Sequence, residues 1–224
     1  MQTGIATPAF SISGGCPERQ AIREYAILMR ITNPSPHMKM RRYLSTALAG
    51  SVFVVAATTA QAQLRLISTD IHAGGKIPNA QVFNAMGCMG NNVSPELHWT
   101  GAPAKTKSFA LTMYDPDAPT GSGWWHWVVY DIPASANRLA GGAGDAGKNL
   151  LPAGTIMGKG DAGMAAYQGP CPGKGDKPHR YIFTLYALDT DKIDVPSGAS
   201  AAYVGFNLHM HQIGKATLTA RYGR

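Results

Sequence analysis

Six short runs of β-branched and aromatic residues, separated by Gly, Pro and Asn turns, limit what this chain can fold into more than any other feature. They lie near 64–68, 97–100, 108–114, 124–132, 181–188 and 216–220. Such side chains fit a pleated, half-buried surface, and the residues between them break strands and supply turns, so each run reads as a strand. Only 197–211 has a helical pattern. There Ala201, Val204, Leu208 and His211 recur near helical spacing behind Pro196, with Ser197 placed as a cap. Residues 139–170 are rich in glycine and aperiodic, which predicts a loop region over one end of the sheet. With no internal repeat or second domain visible, the pattern predicts a mostly β fold, an antiparallel β-sandwich with a few peripheral helices.

The N-terminal part follows a different logic. Met38-Lys39-Met40-Arg41-Arg42 precedes an almost uncharged apolar run, 44–57, and then Ala60-Gln61-Ala62. This reads as a signal peptide, 38–62, cut before Gln63. Its apolar run is short for a membrane span, so an exported, non-integral protein of the periplasm or extracellular space is expected. Two arginines are commonplace in such a segment and do not by themselves argue for the twin-arginine route. Residues 1–37 fit no targeting logic, and translation is expected to start at Met38 or Met40. What remains, 63–224, has the size of a single domain. It carries 14 Lys and Arg against 11 Asp and Glu, a net of +3 out of the whole chain's +7. More than half of the basic excess therefore lies in residues 1–62, and the charge does not argue for nucleic acid. Two cysteines stay in this part, Cys88 and Cys171. In an exported protein a small, even count predicts a disulfide, the alternative being two buried thiols.

Chemistry concentrates in Asp115-Pro116-Asp117-Ala118-Pro119 and Trp124-Trp125-His126-Trp127. In extended backbone Asp115 and Asp117 point to one side, and two like charges that close need donors, a cation or a shared proton. The plain alternative is a proline-stiffened turn with solvated aspartates. Alternation puts Trp124, His126 and Val128 on one face of their strand and Trp125, Trp127 and Val129 on the other. Farther on, His179 and Tyr181 share a face and Arg180 points away, directly after the Pro- and Gly-rich 169–175. Lys174, Lys177 and Arg180 either draw an anion inward or form a solvated loop. Asp115, Asp117, His126 and His179 have the donor types of a mixed oxygen and imidazole metal site, but no metal-binding signature accompanies them. His209 and His211 are two apart on the expected helix and do not face each other. Gly-x-Ser-x-Gly, phosphate-loop and dinucleotide motifs are absent from the sequence, and no metal or cofactor is expected.

These motifs, in this order and with Asn92-Val93-Ser94-Pro95 upstream, resemble the phosphatidylethanolamine-binding proteins (PEBPs), most closely their small bacterial members, from about Leu64 onward. The resemblance implies the same sandwich and an anion-binding pocket lined by Asp115, Asp117, His126, His179 and Tyr181. Its rim would hold Pro119, Trp124, Gly169, Pro170, Cys171 and Pro172. Where the family often has a second histidine this chain has Trp125, implying changed packing. The resemblance also implies a cis bond before Pro119.

The function so implied is binding of a phosphate-like or carboxylate group, free or as a phospholipid headgroup, by protonated histidines whose pKa the aspartates raise. Binding would then strengthen as pH falls. Modulation of a protease or kinase through protein contact is an alternative, with 139–170 as the obvious contact loop. A hydrolase using paired carboxylates and histidines is another, although no activated nucleophile stands out and the expectation is a non-enzyme. The oligomeric state stays open, a homodimer included.

Overall fold

The computed structural model describes residues 63–224, so the expected start site, upstream extension and signal peptide lie outside the described residues. Eight strands and one α-helix follow in order: β1 (Arg65–Ile67), β2 (Leu97–Thr100), β3 (Ser108–Asp115), β4 (Trp124–Pro133), β5 (Arg138–Leu139), β6 (Ile156–Gly158), β7 (His179–Leu188), α1 (Ala201–His211) and β8 (Gln212–Tyr222). They build a three-stranded sheet, β1-β2-β5, and a five-stranded sheet, β6-β4-β3-β7-β8. Every strand pair is antiparallel.

Period-2 alternation sorts β3 and β7 between two cores. Phe109, Leu111, Met113, Tyr181, Phe183 and Leu185 face the smaller sheet's Leu66, Leu97, Trp99 and Leu139. Trp99 and Phe109 meet across the layers with ring centroids 5.2 Å apart. Ala110, Val128, Tyr130 and Leu188 face outward, where Ala201, Val204 and Leu208 of α1 cover them. Burial on both faces explains the nearly continuous apolar runs of the central strands.

Four local features depart from the sequence reading. The helix begins after Ser200, not Ser197: Ala199 N–H bonds to the Pro196 carbonyl at 3.1 Å around Gly198 at φ 77°. This is a turn that needs positive φ at its third residue, and Ser200 Oγ then accepts from Tyr203 N–H. The 139–170 region contains β6, an edge strand on β4, and β5 is a further short strand outside the six expected. At three and two residues, neither is long enough to show a period. β8 starts at Gln212 straight from α1, with no Gly or Pro to mark the boundary.

The fourth feature positions the site. Between Met113↔Trp127 and Tyr114↔Trp125 the register shifts, so β4 inserts one extra residue opposite β3. Such a bulge breaks alternation and re-aims side chains. Trp125 consequently packs on the α1 side with Val128 and Tyr130, while Trp127 and Val129 belong to the inter-sheet core. His126, next to Trp127, also turns inward and meets the Tyr181 ring edge-on at 5.3 Å.

The Cys88–Cys171 disulfide is present, with Cα atoms 6.0 Å apart and a sequence separation of 83. In the chain-entropy account, closing a loop of that length is worth on the order of 4 kcal/mol.

Candidate functional site

The strand ends at one end of the large sheet converge on a cavity of about 530 Å³. β3 delivers Asp115, β4 delivers Trp124 and His126, and β7 delivers His179 and Tyr181. The walls come from loops: Phe83, Ala85 and Met86 on one side, Ala118 to Thr120 on another, and Gln168, Gly169, Cys171, Pro172 and Gly173 on a third. The disulfide fastens the first of these walls to the third. Gly169 lets them approach closely, since a Cβ there would collide with the backbone of Gln81 and Phe83. Pro170 does not line the cavity. Its carbonyl accepts from Phe83 N–H at 3.1 Å and so helps hold the two walls together.

Asp115 is the hub of the floor. Its Oδ1 accepts from the Asp117 amide at 2.8 Å, and its Oδ2 accepts from His179 Nδ1–H at 2.8 Å. His126 Nε2 lies 4.0 Å from the same Oδ2. On its other side the His126 ring donates Nδ1–H to the Gln168 carbonyl at 2.9 Å, which leaves Nε2 as the unprotonated nitrogen of the neutral ring. Burial lowers the His126 pKa below its ordinary value, outweighing the Gln168 carbonyl and the charges of Asp115 and Asp161. The expectation that the aspartates would raise it fails here because desolvation wins.

Tyr181 Oη is buried without a hydrogen-bond partner. Burial first, then the charge of the Asp115 carboxylate and its closeness to the hydroxyl, hold the phenol's pKa above its ordinary value, so the hydroxyl keeps its proton. An unsatisfied buried hydroxyl costs about 1–3 kcal/mol.

Asp117 takes a different place from the one expected. Its carboxylate is gripped by Arg180 through Nη2 at 2.6 Å, Nε at 2.9 Å and the backbone N–H at 2.8 Å, and the Arg180 contacts hold its pKa down at about 2. It lies in an outer groove with Lys177, Arg180 and Arg221 and not along the cavity. The repulsion between the two aspartates is thus relieved separately, by His179 for Asp115 and by Arg180 for Asp117. Four of the five expected site residues come together on the floor, and Pro119, Trp124, Gly169, Cys171 and Pro172 line the cavity around them. Lys174 and Lys177 are solvated. The bond before Pro119 is trans, contrary to expectation. The turn closes instead through Thr120 N–H to the Ala118 carbonyl, a three-residue turn that the fixed φ of a central proline suits. His211 pairs with Asp189 and His209 with Gln212, both on the surface.

Arg224 is the cavity residue that sequence reasoning missed. It is the one Lys or Arg among the described residues that lines the cavity. Its guanidinium donates to the Pro172 carbonyl at 2.8 Å and the Gly87 carbonyl at 2.7 Å, each beside a disulfide cysteine. No local motif surrounds it, and only the closing of β8 onto β7 brings it there.

Comparison with known proteins agrees with this fold. Residues 67–223 match the family described as phosphatidylethanolamine-binding protein. The chain is 51% identical over 159 residues to the Escherichia coli K12 protein YbhB, covering 71% of this chain and 99% of YbhB. It is 45% identical over 180 residues to YbcL of the same organism, covering 80% of this chain and 98% of YbcL. The crystal structure of E. coli YbcL, described as a new member of the mammalian PEBP family, superposes with a TM-score of 0.71 at 47% identity, over 73% of this chain and 99% of that one. The chain belongs to the phosphatidylethanolamine-binding protein family.

Proposed function

We propose that this protein is an exported binding protein whose cavity receives the phosphate-like or carboxylate headgroup of a small ligand or phospholipid. One observation carries the reading: the buried, unpartnered Tyr181 hydroxyl stands with Asp115, His126 and His179 at the floor of a walled cavity. Tyr181 Oη and the Arg224 guanidinium are donors for oxygen atoms, and Phe83, Met86, Trp124 and Met164 form apolar walls for an organic tail. A disulfide fits an oxidising compartment and so supports export. Binding is favoured over catalysis because the cavity holds no activated nucleophile: the Cys171 sulfur is in the disulfide and Thr120 Oγ1 donates to the Gly123 carbonyl.

Isothermal titration with inorganic phosphate, phosphorylethanolamine and acetate tests this reading. Binding to the wild type that is lost in Asp115→Asn and His179→Ala supports it. Absence of binding to all three overturns it and transfers the weight to a protein partner at the apolar rim, where Met86 and Met164 are exposed.

A further inference from the structure

The helix α1 is apolar on two faces and covered on one. Ala201, Val204 and Leu208 pack down on Ala110, Val128, Tyr130 and Leu188 of the large sheet. On the opposite face Tyr203, Phe206 and Met210 recur at i, i+3 and i+7, the spacing of a single helical stripe. Phe206 is 62% and Met210 64% exposed, Tyr203 is 48% exposed, and Ile213, two residues beyond the helix, is exposed as well. A helix that is apolar all round belongs in a core, and a contiguous exposed apolar patch marks an interaction surface.

The helix itself carries no Lys, Arg, Asp or Glu. Asn207, the polar residue within the stripe, turns its amide back to the Tyr203 carbonyl at 3.0 Å. Aromatic and Met side chains with charge excluded are the composition of an interface centre. Charges of opposite sign sit instead at the two ends of the helix. The Lys159 side chain lies against Gly198, just ahead of the helix start. Asp189 lies at the other end, where its carboxylate accepts from His211 Nδ1 at 3.0 Å. Both are exposed, and the 11-residue helix between them spans about 16 Å.

We propose that this face docks a second copy of the chain, with the two α1 helices packed antiparallel about a two-fold axis. An axis passing between Phe206 and Asn207 sets Tyr203 of each copy against the partner's Met210, a ring–thioether contact made twice. The same axis carries Lys159 of each copy toward the partner's Asp189, so the charges at the rim also pair twice. A stable interface takes on the order of 800 Å² from each copy. The stripe supplies its apolar centre, and Ile213, Lys159 and Asp189 supply its margin. A lipid surface would call for Lys or Arg along the helix, and α1 has none. No residue of α1 lines the cavity, so the proposal is independent of the headgroup reading.

Sedimentation equilibrium of the wild-type protein at up to about 100 μM tests this. The expected result is a monomer–dimer equilibrium that Phe206→Asp weakens about tenfold or more, with its circular dichroism unchanged. Lys159→Glu and Asp189→Lys should each dimerise about tenfold more weakly at low salt, since each homodimer sets like charges together twice. Mixing these two variants in equal amounts should restore dimers of near wild-type affinity, because the mixed dimer pairs opposite charges at both ends. A wild type that stays monomeric overturns the proposal. So does a Phe206→Asp variant that dimerises as the wild type does, or a mixture no tighter than its components. A wild type that is monomeric in solution but sediments with phosphatidylglycerol vesicles, an association lost in Phe206→Asp, would assign the face to lipid and overturn it too.

Discussion

The cavity floor and the outer groove beside it begin from the same five-residue motif and end in opposite electrostatic settings. Asp115 is buried and serves two N–H donors at the base of the cavity. Asp117, two residues on, is partly exposed and held by Arg180. One carboxylate is buried where removing a partner leaves unsatisfied polar atoms. The other sits where water and salt screen the pair. Identical side chains in one short motif therefore do different work, and the partner that β7 brings to each decides which. His179 and Arg180 are adjacent on β7, point to opposite faces and take one aspartate apiece.

This comparison can be broken most forcefully from below. Trp127 underlies the floor, fully buried and in edge contact with the Tyr167 ring. Trp127→Ala should cost about 3–5 kcal/mol of stability in chemical denaturation. A cost as small as that of a surface substitution would show that the floor does not stand on this core. Next in size is the disulfide that ties the cavity walls. Cys88→Ser with Cys171→Ser should lose about 2–4 kcal/mol and weaken phosphate binding more than it weakens the folding of the sheets.

The direct contrast comes third. Asp115→Asn should cost about 1–3 kcal/mol and abolish binding, because the amide keeps one acceptor oxygen for the two N–H donors of Asp117 and His179 and turns an NH2 toward the other. Asp117→Asn should leave binding in place and cost less. Equal losses of binding would erase the distinction between floor and groove.

The smallest effect is the pH dependence of the outward carboxylate. The folded pKa of Asp117, about 2, lies below its unfolded value of 3.8. Its contribution is therefore present above the unfolded pKa and lost as pH falls from about 5 toward 2. Acid unfolding should show a gap between wild type and Asp117→Asn that closes over this window, and the gap should be small because the pair is solvated. His126 behaves differently. Its folded pKa is lowered, so the unfolded chain binds the extra proton first, and the resulting loss of stability sets in as pH drops below about 6.5.

Much of this was legible in the sequence. The long strands carried their periodicity, and Asp115, His126, His179 and Tyr181 stood in motifs dense with polar and aromatic side chains. Cys88 and Cys171 were a pair by count. What escaped depended on partners distant in sequence. The bulge at His126 exists only in the pairing of β4 with β3, and period-2 reasoning on one strand misplaced Trp125. The role of Asp117 follows from Arg180, 63 residues away. β5 and β6 are too short for a period, and their existence follows from the neighbours they pair with. Arg224 reaches Gly87 across 137 residues, and nothing local announces it.

The central claim is that oxyanions enter the cavity and leave the basic groove empty. NMR titration of inorganic phosphate into the protein, following the rings of His126, His179 and Tyr181 together with the guanidinium Nε–H signals of Arg224 and Arg180, tests it most directly. The account predicts saturable shifts at the three rings and at Arg224, with Arg180 unmoved. Shifts confined to Arg180 and its groove, with the rings unmoved, would contradict it.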